Sequence, residues 1–135
     1  MKKEITVDAV LENLHPVQGF IEPFLLSCPF SPKARMDLEM AVEEIFLNIA
    51  SYAYAPETGK AVITAETNGQ ELVITFTDSG KPFDSLAKQD PDVKTPWQNR
   101  QVGGLGIFMV KQTMDAVEYE RRGEQNVLRI RKAVV

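Results

Sequence analysis

Residues 61–77 read Ala-Val-Ile-Thr-Ala-Glu-Thr-Asn-Gly-Gln-Glu-Leu-Val-Ile-Thr-Phe-Thr, and this stretch decides the fold. Apolar and polar residues alternate on both sides of Asn68-Gly69, a dipeptide typical of the tight turn between antiparallel strands. We therefore predict a β-hairpin with strands at 61–67 and 71–77. Such a sheet buries one apolar face, which helices can cover.

Two helical patterns precede the hairpin. The first ends near residue 26, with Asp8 or Asn13 as its N-cap. The second begins after Ser31, a good N-cap that is followed by proline, and continues over about 32–54. Its apolar residues recur at intervals of three and four and predict a face turned to the core: Leu38, Ala41, Val42, Ile45, Ile49 and Tyr52.

The remaining elements are short. Residues 3–7 predict a strand, and residues 79–102 show no clean periodicity and are rich in proline, aspartate and asparagine. A helix is expected from Gly103-Gly104 to about 114, and two final strands are expected at 116–122 and 126–133. A compact domain rarely keeps so long a loop as 79–102 without a use for it.

These elements sum to an α+β two-layer sandwich, in which about three helices cover one face of a mainly antiparallel mixed sheet. The chain has 135 residues, of which 44% are hydrophobic and 25% charged. That profile predicts a single domain over residues 1–135.

Composition also excludes several functions. A net charge of −4 argues against a nucleic-acid binder. The sequence has no apolar run of membrane-spanning length and no leader pattern, so we expect a cytoplasmic protein. One cysteine, Cys28, allows no internal disulfide and is expected to be a buried structural thiol. A local basic group is expected to be a solvated strand face: Arg121, Arg122, Arg129, Arg131 and Lys132.

The first candidate functional pair is Glu44 and Asn48. Their i, i+4 spacing on the second helix puts a carboxylate and an amide oxygen on one side. Magnesium prefers oxygen ligands and takes only one or two from protein, so Asn48 is a candidate ligand and Glu44 a candidate base or water positioner. The alternative is an ordinary solvated helix face.

The second candidate is Asp78, which directly follows an apolar strand and precedes Gly80 by two positions. A carboxylate there can accept a hydrogen bond from the amino group of adenine. Alternatively, Asp78 forms a turn through its own backbone contacts.

The third candidate is Gly103-Gly104-Leu105-Gly106, at the start of a predicted helix. Unpaired amide groups and the positive end of the helix dipole attract phosphate there, although glycines can also act as a simple hinge. The segment is neither a P-loop nor a dinucleotide fingerprint, because the residues around it do not match either motif.

The order of these motifs along the chain resembles that of the GHKL ATPase superfamily. A helix with an acid and an amide comes first, then an aspartate and a glycine after a strand, a long loop, and a glycine-rich helix start. That superfamily includes gyrase-type ATPases and histidine kinase catalytic domains, and the resemblance runs across nearly the whole chain. Within it, the chain is most similar to the anti-sigma factor serine/threonine kinases, which are small and free-standing.

The resemblance implies ATP and Mg²⁺ as cofactors, with Asn48 coordinating magnesium and Glu44 acting as base. Asp78 would read the adenine amino group, and Asn126 falls near the place where a polar strand residue often supports that aspartate. Residues 84–102 would form an ATP lid. The remaining nucleotide contacts would come from the two glycine boxes: Gly80, Pro82, Phe83, Gly103, Gly104, Leu105 and Gly106.

One departure from the family lies at Tyr52. Many of these kinases have a histidine in a His-Ala-Tyr run, where this chain has Tyr52-Ala53-Tyr54. An aromatic ring keeps the packing but loses the hydrogen bonds and charge of an imidazole.

The resemblance implies a homodimeric protein kinase that phosphorylates an anti-sigma antagonist of the sulfate-transporter/antagonist type and controls a sigma factor by partner switching. Neither nucleic acid nor membrane is an expected direct partner. A second hypothesis is a nucleotide-dependent binding module without productive phosphoryl transfer, which Tyr52 favours. A histidine kinase catalytic fragment is a third hypothesis, disfavoured because no dimerisation helix with a phosphoacceptor histidine is seen.

Overall fold

The computed structural model describes residues 1–87 and 104–134. For residues 104 and 105 it describes the backbone only. Within these ranges, five strands form one antiparallel sheet in the order β1-β2-β3-β5-β4. The strands are β1 (Lys2–Asp8), β2 (Lys60–Thr67), β3 (Glu71–Asp78), β4 (Ala116–Arg122) and β5 (Gln125–Ala133). The helices are α1 (Leu14–Ser27), α2 (Pro32–Asn48) and α3 (Gly104–Thr113).

The predicted hairpin is confirmed as β2 and β3. The side-chain Oδ1 of Asn68 accepts hydrogen bonds from the backbone N–H groups of Gln70 at 2.9 Å and Glu71 at 3.1 Å. Gly69 has a φ of +89°, a conformation that glycine adopts without steric cost. The resulting register pairs Ala61 at the far end of β2 with Asp78 at the end of β3.

The core lies between the helices and one face of the sheet. Alternate residues of β3 are buried, and Leu72, Ile74 and Phe76 have at most 1% of their surface exposed. They belong to one cluster with the buried faces of α1 and α2, represented by Phe24 and Phe46. Burying each such side chain stabilises the fold by about 1.5–3 kcal/mol. The α+β two-layer fold predicted from the sequence is confirmed.

The start of α2 also agrees with the sequence. Ser31 has extended backbone angles, and its hydroxyl oxygen accepts a hydrogen bond of 3.1 Å from the N–H of Ala34. Pro32 occupies the first helical position, where a missing N–H costs nothing. At the start of α1, Asn13 occupies the N-cap position, but its amide donates to Asp8 O at 2.8 Å instead of capping the helix.

The far end of α2 differs from the prediction. The α-helix ends at Asn48, and a π-helical turn follows from Ile49 to Ala53. The wider π turn changes the angle between successive side chains, so the α-helical spacing no longer holds. Tyr52, predicted as a core residue, is therefore 41% exposed, whereas Ile45 and Ile49 are buried as predicted.

The basic group of the last two strands is divided between the solvent face, the site and, for the half-buried Lys132, the carbonyl oxygen of Thr113 at the end of α3. On the open face of the sheet, Arg131 contacts Glu118 at 2.9 Å and Glu71 at 3.0 Å, and its hydrogen bond lowers the pKa of Glu118. The prediction that Arg121 belongs to the solvated face is wrong. Arg121 is half-buried, and its guanidinium donates to the carbonyl oxygen of Gly80 at 2.8 Å.

Cys28 is buried, as expected from the sequence. In the described part of the chain, no helix is long and apolar enough to cross a membrane. Of the predicted ATP lid, 84–102, the structure describes only residues 84–87, which include a short 3₁₀ turn. Residues 88–102 and Gly103 lie outside the described residues.

We predict that Ser31→Ala lowers the free energy of unfolding by about 1 kcal/mol, because the N–H of Ala34 loses its side-chain acceptor. Urea denaturation monitored by circular dichroism measures this change. Ser31→Asp restores an acceptor and should unfold at nearly the wild-type urea concentration. Equal losses in both variants would contradict the capping role.

Candidate functional site

A small cavity of about 30 Å³ lies between the end of α2 and the ends of strands β3 and β5. Five polar side chains line it: Asn48, Asp78, Ser85, Tyr119 and Asn126. Much of the remaining wall is apolar, with contributions from Ile45, Ile49, Phe76 and Leu128. The fold thus brings three of the predicted site residues, Asn48, Asp78 and Phe83, to one largely apolar cavity.

Asp78 is the last residue of β3 and is only 5% exposed. Its Oδ1 atom accepts a hydrogen bond of 2.9 Å from Nδ2 of Asn126, which lies directly opposite on β5. The same oxygen accepts a bond of 2.9 Å from the N–H of Gly80, so Asp78 is also a turn former. Neither bond uses Oδ2, and the carboxylate lines the cavity.

The carboxamide of Asn126 joins four groups from three segments of the chain. Its Nδ2 also donates to the carbonyl oxygen of Lys81 at 2.8 Å. Its Oδ1 accepts from the hydroxyl of Tyr119 at 2.6 Å and from the N–H of Phe83 at 3.3 Å. These bonds fix which end of the carboxamide faces Asp78.

The loop after β3 is held against the end of the second helix. Lys81 donates its N–H to the carbonyl oxygen of Ala53 at 3.0 Å, and the hydroxyl of Tyr54 accepts from the N–H of Ser79 at 2.7 Å. A Cβ atom on Gly80 would lie 2.2 Å from the carbonyl oxygen of Ala53, so only glycine fits there. This close approach explains the glycine of the aspartate–glycine motif.

The departure at Tyr52 lies beside this loop. The ring of Tyr52 contacts that of Phe83, with 5.8 Å between centroids and a tilt of 32°. Phe83 lines the cavity and is half-buried, whereas Pro82 is exposed. Each residue of the tripeptide 52–54 therefore contacts the loop after β3.

Glu44 does not line the cavity that Asn48 lines. It lines a groove between α2 and α3, and it lies against Gly106. A Cβ atom on Gly106 would lie 2.1 Å from the carboxyl carbon of Glu44, so a larger residue there would displace the Glu44 carboxylate. The contact places a carboxylate beside the N-terminal turn of α3, which begins at Gly104. Leu105 is in the same turn.

Sequence reasoning did not find Tyr119 and Arg121 as site residues. Both lie on β4, and each bonds to a group that supports the cavity, Asn126 in one case and the carbonyl of Gly80 in the other. The two residues are two positions apart and therefore lie on one face of β4. Only the pairing of β4 with β5 brings that face to the site.

The chemistry of the cavity fits a flat heteroaromatic base with an amino group, since a carboxylate acceptor and a few other polar groups lie in a largely apolar wall. A volume of about 30 Å³ holds little more than a water molecule, so a base requires the cavity to widen; the loop contributes Phe83 and Ser85 to its wall. For magnesium, Asn48 offers one oxygen, and in 1–87 and 104–134 no three acidic, histidine or cysteine side chains are grouped so that they could hold a metal ion. That donor set fits a metal held mainly by phosphate and water.

An antiparallel sheet with helices on one face, and a buried aspartate at a cavity between the two layers, fits the class of histidine kinase-like ATPase domains. The family model of the histidine kinase-like ATPase domain matches residues 7–132, and the chain belongs to this family.

Named kinases are among the similar proteins. The chain is 26% identical to serine/threonine-protein kinase BtrW of Bordetella bronchiseptica over 110 residues, which cover 81% of this chain and 78% of that protein. It is 33% identical to serine-protein kinase RsbW of Halalkalibacterium halodurans over 86 residues, which cover 61% of this chain and 52% of that protein. The match thus spans about half the length of the second relative. The resemblance to anti-sigma factor kinases is confirmed by these relatives.

A solved structure shows the same fold. The crystal structure of the RsbU and RsbW domains of a Mycobacterium tuberculosis protein aligns with a TM-score of 0.69 and 16% identity. The alignment covers 98% of this chain and 32% of that one.

We predict that Asn126→Ala lowers the free energy of unfolding by about 3 kcal/mol, because several buried polar groups lose a partner. Gln125→Ala, at the exposed neighbouring position, should change it by at most about 0.5 kcal/mol. Chemical denaturation of the two variants makes the comparison. A small loss at Asn126 would mean that the four bonds do not support the fold.

Proposed function

We propose that this chain is an ATP-binding anti-sigma regulatory factor, a protein serine/threonine kinase that phosphorylates an anti-sigma antagonist. The observation that carries the proposal is the buried Asp78, held by Asn126 at the wall of an apolar cavity next to Asn48. Membership of the histidine kinase-like ATPase family and the kinase names of the relatives support it.

Each site residue then has a defined task. Asp78 accepts a hydrogen bond from the adenine amino group, and Gly80 with Pro82 and Phe83 forms the adjoining wall. Asn48 offers its amide oxygen to Mg²⁺. Bound ATP with Mg²⁺ supplies the phosphoryl group to be transferred. The start of α3 provides backbone N–H groups for phosphate from Gly104, Leu105 and Gly106, and we propose the same role for Gly103, which lies outside the described residues.

Glu44 is the residue proposed to act on the acceptor. Its carboxylate takes or orients the proton of a serine or threonine hydroxyl, which makes the hydroxyl oxygen a better nucleophile. The position of Glu44 beside the N-terminal turn of α3 supports this role, because the proposed phosphate-binding amides lie in the same turn. Most of the rate would come from positioning and from neutralised charge.

The proposed partners are a small antagonist of the sulfate-transporter/antagonist type and a sigma factor. Phosphorylation of the antagonist would release it and leave the kinase to sequester the sigma factor. We propose that the chain acts as a cytoplasmic homodimer without direct nucleic-acid contact. The names of the relatives, a serine/threonine-protein kinase and a serine-protein kinase, support a protein as the acceptor.

A second candidate function is a nucleotide-dependent protein-binding module without productive phosphoryl transfer. Tyr52 favours it, because the family's imidazole is replaced by a ring that packs on Phe83. In this case the nucleotide would set the conformation of the loop after β3 and thereby the affinity for a partner.

We predict that Asp78→Asn weakens binding of ATP and ADP at least about tenfold, since an amide offers one acceptor oxygen where the carboxylate offers two. Isothermal titration calorimetry measures the dissociation constants. Asp8→Asn at the exposed end of β1 is the control and should bind like the wild type. Wild-type affinity in Asp78→Asn would remove Asp78 from the site.

We predict that Glu44→Ala and Glu44→Gln slow phosphoryl transfer to an antagonist about 10²- to 10⁴-fold while nucleotide still binds. The assay follows label from γ-labelled ATP with Mg²⁺ onto purified antagonists. Glu39→Gln, on the same helix but away from the groove that Glu44 lines, is the control.

The same assay separates the two candidate functions. Nucleotide binding without label on any antagonist would favour the binding module. Failure of ATP and ADP to bind at all would reject both.

A further inference from the structure

A groove separate from the cavity runs between α2 and α3 and has a volume of about 440 Å³. The residues that line it recur every three or four positions on both helices, so the groove follows a face of each. From α2 it takes Asp37, Met40, Glu44 and Leu47, and from α3 it takes Gly106 and Met109. The groove and the cavity share no lining residue.

Much of the groove surface is apolar and accessible. Met40 is 51% exposed and Met109 is 41% exposed, although both lie on helices that pack on the core. Methionine is flexible and polarizable, and exposed methionines are common on surfaces that bind other proteins. Two such side chains, one on each helix, favour a protein occupant with an apolar side chain.

The charge of the groove is acidic. Among the described residues, its lining includes Asp37, Glu43 and Glu44 but no lysine or arginine. Asp37 pairs with Lys33 at 2.8 Å, whereas Glu43 is exposed to solvent. A basic side chain beside the apolar one would complement this surface.

We propose that this groove docks the acceptor protein of the phosphoryl transfer, through an apolar side chain next to a basic one. The inference rests on the proposed function, because it takes Glu44 as the residue that acts on the acceptor hydroxyl. Glu44 lines the groove and not the cavity, so a hydroxyl reaches its carboxylate from the groove side. The acceptor therefore approaches between α2 and α3, while the nucleotide base enters between α2 and the sheet.

The chain's methionines provide a direct test, since there are only five of them. With ¹³C-labelled methionine methyl groups, NMR spectra are recorded while a purified antagonist of the sulfate-transporter/antagonist type is added. The signals of Met40 and Met109 should shift first. Met36, which is 59% exposed on α2 but does not line the groove, should shift less.

Paired variants test the two chemical features of the groove. Met40→Ala and Glu43→Lys should each raise the KM for the antagonist at least about fivefold, with little change in kcat or in the dissociation constant for ATP. Met36→Ala and Glu39→Lys are the matched controls on the same helix, and both should behave like the wild type. Raised salt should weaken docking to the wild type more than to Glu43→Lys.

The outcomes separate this inference from the proposed function. Phosphoryl transfer without shifts at Met40 and Met109, or equal effects of the matched controls, would overturn the docking groove alone. Shifts without transfer would keep the groove and overturn the kinase. Shifts that appear on concentrating the chain alone, or with a sigma factor and not the antagonist, would assign the groove to a second copy or to that factor and overturn our inference.

Discussion

The hydrogen bond between Asn126 and Asp78 is the contact on which the site depends. It joins two polar side chains on the inner face of the sheet, where the neighbouring residues are apolar and unpaired polar groups are costly. The pairing of β3 with β5 places the two residues directly opposite each other. The remaining bonds of Asn126 extend to β4 and to the loop after β3, so one carboxamide links the sheet to the cavity wall.

The loop after β3 is held from two sides, although it contains no regular structure before residue 85. On one side, Asn126 and Arg121 bond to its backbone. On the other side, residues 52–54 contact it through a carbonyl, a hydroxyl and an aromatic ring. The π-helical turn before Tyr54 brings these groups to the loop, and the same turn moves Tyr52 out of the core. The residue that departs from the family pattern therefore has a structural partner, Phe83.

Local signals in the sequence predicted the parts of the fold that depend on neighbouring residues. The Asn68-Gly69 turn, the Ser31 cap and the apolar stripe of α2 as far as Ile49 involve contacts of a few residues, and all are confirmed. The π turn was missed because its sequence continues the three-and-four spacing of the helix. Tyr119 and Arg121 were missed because their partners at the site are fixed by strand pairing and by a contact between residues 41 positions apart. The roles of Glu44 and Asn48 in chemistry remain predictions, although their places in the groove and the cavity are now defined.

The cavity and the groove lie on different sides of the same turns of α2, and this has a consequence for the evolution of this protein. Successive side chains of the helix serve different spaces: Ile45 and Asn48 face the cavity, whereas Glu44 and Leu47 face the groove. Distant substitutions that share no partner act nearly independently. A lineage can therefore alter the groove surface, for example at Met40 or Met109, without altering the wall around Asp78. Gene duplication followed by such changes would give paralogues with one cofactor and different partners.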